Sequence, residues 1–311
     1  MEKIVKKTGD HGIGLMIHMV HMTDDVPALN AFYENVFGGL MYMGVDEPNF
    51  LPVEDRLAGL LMVSDLCVET MAPKFPVNVE KPVGKFYTKF GQHLHSVGYK
   101  VDDLEALGNR LIDQGVYIGK PGGGKLDAMD PDEMYFYPSP RDTAGLMVEL
   151  CRIDMPNDPR QNETWTSQVR LWRTHPLTIE RLSYITLGVK DLEAAVHAYV
   201  DVMQAVPVDK GIDEDTQLQY QTVQLGDSLL QLAQPLEETS PLGKHVAKWG
   251  NMIYGATFKI TDVDSAESWL NSKGVRTTRI RPTLLAANPE DTFGAPYFFS
   301  AEDILNDPFA G

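Results

Sequence analysis

The chain has 311 residues, 43% apolar and 23% charged, enough for one large domain or two ordinary ones with their own cores, which excludes a disulfide-stapled miniprotein. No apolar run approaches the roughly 20 residues of a membrane-spanning helix, and the start MEKIVKKTGDHG has basic residues with no apolar stretch behind them, so a cytoplasmic location is expected. Forty-four acidic against 27 basic residues give a net charge of −17 with no basic patch, which argues against nucleic acid and for a small molecule or a divalent cation.

In chain order the sequence predicts one motif four times: an apolar strand, an aspartate able to cap a helix, then apolar residues at helical spacing. The first covers residues 15–39, with Asp25 as cap, and leads into the strand-like LAGLLMVSDLCVETM. The second covers residues 93–116, with Asp103 as cap and Gly115 suited to the helix end. After it, Gly119 to Leu126 (GKPGGGKL) nearly spells a phosphate-binding loop, but Leu126 replaces the required hydroxyl and no helix follows. It reads as a loop near the mouth of a site, able to cover a substrate. Residues 153–179 are polar and proline-bearing, a linker with one short helical stretch over 164–172.

The third motif covers residues 181–206, with its cap at Asp191, and is followed by LQYQTVQLGDSLLQLAQ. The fourth covers residues 252–275, with its cap at Asp262 and a terminal Gly274. Tyr33 and Tyr199 each stand eight residues after their cap in the first and third motifs, so the repeat is nested. The expected fold class is α+β, four βαβββ units forming two modules: residues 1–152, a linker 153–179, residues 180–300, and a tail 301–311 with no assigned role. Cys67 and Cys151 have no metal-site or disulfide spacing and read as buried thiols. The 14 methionines read as core filler.

A βαβββ unit used four times, with D-[LV]-x-x-[AL] after the first strand, resembles the vicinal oxygen chelate superfamily. That group includes glyoxalase I, methylmalonyl-CoA epimerase, bleomycin-resistance proteins and two-module extradiol dioxygenases. The resemblance covers residues 13–300, and its most specific runs are PRDTAGLMVEL from Pro140 and QLAQPLEETSPL from Gln231, both similar to the epimerase branch. It implies two cups and a divalent ion held by side chains from separate strands. The implied ligand positions are His18, Glu69, a residue on the fifth strand, and Glu149. On that fifth strand the family position falls on Ser96, while His95 stands one residue early and with His93 should face away unless a β-bulge shifts the phase. His21 reads as an outer-face imidazole. The corresponding family positions in the second module are Tyr184, Gln231, Gly255 and Phe298, so the resemblance implies one metal site, in the N-terminal half.

Three functions follow from the resemblance. In the first, a metal-polarised carbonyl and a carboxylate, Glu149 or Glu69, carry out proton transfer in an epimerase, isomerase or lyase acting on a small carbonyl or CoA-ester-like substrate. In the second, Fe(II) supports extradiol ring cleavage. In the third, the cup binds a small molecule without catalysis. Zn, Fe, Mn, Co and Ni all suit the implied ligands, and whether the chain forms a homodimer stays open.

Overall fold

All four aspartates cap helices in the computed structural model, which describes residues 6–310. Asp25 accepts the amide of Ala28, Asp103 that of Ala106, Asp191 that of Ala194 and Asp262 that of Ser265, each at 2.9–3.0 Å. A carboxylate there takes up an amide that the first helical turn cannot satisfy. Ahead of each capped helix runs a long strand, and the strands form two sheets.

The first sheet is built from β1 (Ile13–Met22), β2 (Leu40–Met43), β3 (Asn49–Leu51), β4 (Arg56–Val63), β5 (Leu66–Pro73), β6 (His93–Val101), β7 (Ile118–Gly119), β8 (Lys125–Leu126), β9 (Tyr135–Pro138) and β10 (Met147–Cys151). The second contains β11 (Ile179–Gly188), β12 (Val206–Asp213), β13 (Leu218–Leu225), β14 (Ser228–Pro235), β15 (Met252–Ile260), β16 (Thr277–Arg281), β17 (Leu284–Ala287) and β18 (Tyr297–Ser300). Their orders are β2-β4-β5-β1-β6-β10-β9-β7-β8, with β3 on β4, and β12-β13-β14-β11-β15-β18-β17-β16. At each centre the first strands of two units lie antiparallel, and each pairs in parallel with the last strand of its own unit. The fold is the expected tandem α+β arrangement.

The helices are α1 (Val26–Phe37), α2 (Pro82–Phe90), α3 (Leu104–Asp113), α4 (Trp165–Gln168), α5 (Leu192–Val196), α6 (Pro241–Trp249) and α7 (Val263–Ser272). α4 falls in the expected linker helix. α5 is shorter than its motif suggests, because the chain continues as a π-helical turn over His197–Val202. α2 and α6 were not anticipated; each begins with proline and connects the two units of its module. Both carry a glycine that its surroundings require: a Cβ at Gly84 would lie 2.1 Å from the Asn78 carbonyl oxygen, and one at Gly243 2.2 Å from that of Glu237.

One apolar core joins both modules. Phe37 of α1 stacks on Phe299 and packs against Phe258 and Tyr297 of the second sheet. Cys67 and Cys151 are buried free thiols. Among the described residues no helix is long and apolar enough to cross a membrane.

Candidate active site in the N-terminal cup

Strand alternation fixes which side chains can meet. His18 on β1 is in register with Gly98 on β6, and Gly98 with Glu149 on β10, so His18 and Glu149 share a face across a glycine. Gly98 leaves room for the imidazole, since a Cβ there would lie 2.8 Å from His18 Nε2. One row along, Glu69 on β5 pairs with Val20, Val20 with Ser96 and Ser96 with Met147.

Just past the second row the register shifts: Val20 faces Ser96, but His21 faces Leu94. His95 is therefore the extra residue of a β-bulge, which turns its side chain to the pocket beside Ser96. The second module has the same shift between Thr186 and Leu187, with Tyr254 as the extra residue. His21 points into the opposite core, bonded to Tyr33 and to the Phe293 carbonyl.

The result is a pocket of about 260 Å³ lined by Glu54, Arg56, Glu69, His95, Ser96, Tyr137 and Glu149 among others. The glycine-rich run Gly119–Gly124 forms part of its wall and α2 contributes Pro82 and Val83. Beneath it His18, 2% exposed, lies between two carboxylates, its Nδ1 3.5 Å from Glu69 and its Nε2 3.9 Å from Glu149. Among the described residues neither ring nitrogen has a hydrogen-bond partner. Arg56 ion-pairs with Glu54 through Nε and with Glu69 through Nη1. The Tyr137 hydroxyl donates to Glu149 at 2.9 Å and lies 3.3 Å from Glu54.

These surroundings push the two expected carboxylates apart. Burial opposes ionisation of Glu69, but Arg56 and then His18 outweigh it and hold the carboxyl below its ordinary value. Burial raises Glu149, against the opposing pull of His18, and the charge of Glu69 raises it further. Burial, with Arg56 next, pushes His95 down to about 3, so its ring is neutral; Nδ1 is bonded to Ser96 Oγ at 2.7 Å, and the ring packs on Phe86.

Of the residues implied as metal ligands, Glu69, Glu149 and the fifth-strand His95 and Ser96 line one pocket while His18 lies beneath it, and they are not grouped around one point. Glu69 and Glu149 stand at opposite nitrogens of one imidazole, Glu69 is already paired with Arg56, and Ser96 occupies the second histidine position. Among the described residues no three His, Cys, Asp or Glu side chains are grouped so as to hold an ion. The donor set as arranged does not fit a divalent centre. Arg56, Glu54 and Tyr137 were missed in the sequence, although a charged pair opening an otherwise apolar strand (VEDRLAGLLMV) was a visible signal.

In the second module Tyr184, Gln231 and Phe298 line a larger cavity of about 800 Å³. His93 lies at its edge, its ring 5.5 Å from that of His245.

Residues 15–150 match the family model of the Glyoxalase/Bleomycin resistance protein/Dioxygenase superfamily. Members of that superfamily typically bind a divalent metal. Over its full length the chain is similar to a triple mutant of 4-hydroxymandelate synthase from Streptomyces coelicolor: 12% identity, TM-score 0.66, 97% of this chain and 96% of that one. Such a likeness shows the shared two-module fold alone. A methylmalonyl-CoA epimerase from Mycobacterium tuberculosis is 23% identical, covering 39% of this chain and 87% of its own, with a TM-score of 0.37. An epimerase variant from Streptomyces coelicolor, in complex with 2-nitronate-propionyl-CoA, is 24% identical over 42% of this chain and 99% of its own, with a TM-score of 0.38. No curated protein matches the sequence.

Proposed function

We propose that the N-terminal cup moves a proton beside the carbonyl of a small molecule, in a reaction of the epimerase, isomerase or lyase type, with CoA-ester-like thioesters within its substrate class. The observation that carries this reading is the pair of buried carboxylates driven in opposite directions within one pocket, the arrangement that separates an acid from a base on one fold. Glu149 is the proton carrier: it lines the pocket, and the Tyr137 hydroxyl holds its carboxyl in place. Glu69 stays ionised against Arg56 and positions His18, which fixes the floor on which Glu149 rests.

The carbanion left by proton removal needs its charge spread onto the carbonyl oxygen, and positive charge near that oxygen lowers the barrier. The glycine-rich run and α2 form part of the pocket wall. Two buried thiols outside any disulfide suit a reducing compartment such as the cytoplasm.

The test is solvent-deuterium exchange, followed by NMR, into a panel of 2-methyl-branched thioesters and α-hydroxy ketones. Exchange by the native protein that disappears in Glu149→Gln is the expected result. A second reading, a binding cup without catalysis, draws on Ser96 in place of an imidazole. Saturable binding of panel members with no exchange would favour it. Ring cleavage with iron is not favoured, since it needs two imidazoles and a carboxylate facing one ion.

A further inference from the structure

We infer that the guanidinium of Arg56 occupies the cation position of this cup, so that the module works with a tethered organic cation in place of a divalent ion. The inference rests on the cup being the working site proposed above and supplies what that reading leaves unnamed, the positive group facing the substrate oxygen.

Three observations carry it. First, Arg56 and Glu69 lie on the cup face of adjacent antiparallel strands, Arg56 opposite Pro73 and Glu69 opposite Leu60, with only the methyl of Ala58 between Arg56 and Leu60 on that face of β4. The long arginine side chain reaches back over this gap to Glu69 and so takes the carboxylate that a metal would need. Second, the position that would supply another imidazole is Ser96, and His95, turned inward by the bulge, spends Nδ1 on the serine hydroxyl. Third, the guanidinium is only partly engaged. Nε serves Glu54 and Nη1 serves Glu69, while Nη2 has no hydrogen bond among the described residues and Arg56 lines the pocket.

A planar guanidinium with a free donor suits an oxygen that carries or develops negative charge. The ligand class is therefore a small molecule with an enolisable carbonyl or a carboxylate, received by Nη2 within reach of Glu149. Both flanking carboxylates keep the guanidinium charged and in place, so a divalent ion must displace a covalently attached competitor to reach Glu69.

Metal content and Co²⁺ titration test the inference without any substrate. The native chain, purified without chelator or affinity tag, is expected to hold below about 0.1 equivalents of Zn, Fe, Mn, Co or Ni and to show no saturable Co²⁺ absorption band. Arg56→Met combined with Ser96→His frees Glu69 and restores the second imidazole, and is expected to take up about one equivalent of Co²⁺. Near one equivalent in the native chain, lost in His18→Ala, overturns the inference. So does a folded double variant that binds no better than the native chain, because Arg56 would then not be what excludes the ion. If circular dichroism shows the double variant unfolded, Arg56→Met alone is titrated, and a Co²⁺ affinity unchanged from the native chain overturns the inference while a gain of at least about tenfold supports it. A metal-free chain that exchanges no carbonyl proton would sink the proposed reaction and leave this inference standing; a metal-bearing chain that exchanges would do the reverse.

Discussion

A single imidazole held between two carboxylates organises the pocket, and the two carboxylates are not equivalent. Glu69 is fixed as an anion by Arg56, whereas Glu149 is raised by burial, accepts the Tyr137 hydroxyl and lies 3.9 Å from the far nitrogen of His18. Glu149→Gln is therefore expected to lower proton exchange by about 10²- to 10⁴-fold while leaving the thermal midpoint close to native, since the amide fills the same space. Tyr137→Phe has a different signature. Its hydroxyl lowers Glu149, so its loss raises that carboxyl further. The rising limb of exchange rate against pH, set by ionisation of Glu149 above the ordinary 4.5, is expected to move to higher pH in Tyr137→Phe. A limb that stays where it is would detach Glu149 from the rate.

The elements show why some of the site could be read in advance and some could not. His18, Glu69 and Glu149 are the positions the family resemblance implies, reached from Asp25, Pro73 and Pro140, and strand alternation then carries all three to one face. His95 could not be placed that way. One inserted residue reverses the phase, and its presence depends on pairing with β1, which no local pattern in HLHSVGYKV declares. Its repetition at Tyr254 shows the bulge belongs to the fold and not to one site. Arg56 escaped for another reason: an arginine at a strand start reads as solvent-facing, and only the tertiary pairing with Glu54 and Glu69 buries it to 8% exposure.

The helices α2 and α6 were overlooked because nine residues with a proline start give little periodicity. Their shared P-x-G-K sequence was the available signal, and its glycine explains itself in the close carbonyl approach at Gly84 and Gly243. Gly243→Ala is expected to destabilise the chain by about 1–3 kcal/mol in urea unfolding, because the carbonyl it meets is backbone and yields little. A change within about 0.5 kcal/mol would mean that the connection before α6 relaxes freely.

At the scale of the whole chain the two modules are held together by groups that sequence periodicity assigns to neither interface. Tyr33 of α1 bonds Tyr297 of β18, the Trp269 indole donates to the Val36 carbonyl at 2.8 Å, and the Met16 amide donates to Asp227 Oδ1 at 2.7 Å. His21 joins this junction, its Nδ1 2.8 Å from the Tyr33 hydroxyl and its Nε2 2.9 Å from the Phe293 carbonyl. Burial pushes His21 down to about 4, against the pull of that carbonyl. The unfolded chain therefore binds a proton below 6.5 that the folded chain refuses. A group with a depressed folded value contributes stability that is complete above the unfolded value and is lost as pH falls toward the folded one. For His21 that window runs from 6.5 down to about 4, with roughly 3 kcal/mol at stake. His95 and His245, both pushed to about 3 chiefly by burial, act in the same direction. Because His21 bridges the modules, its protonation should release both at once. Calorimetry at pH 7.5 and at pH 5 is expected to give one cooperative transition at each, the second at a lower temperature, and in His21→Phe a smaller difference between the two. Two separate transitions at either pH would show that Phe37, Tyr33 and Trp269 do not bind the modules into one cooperative unit.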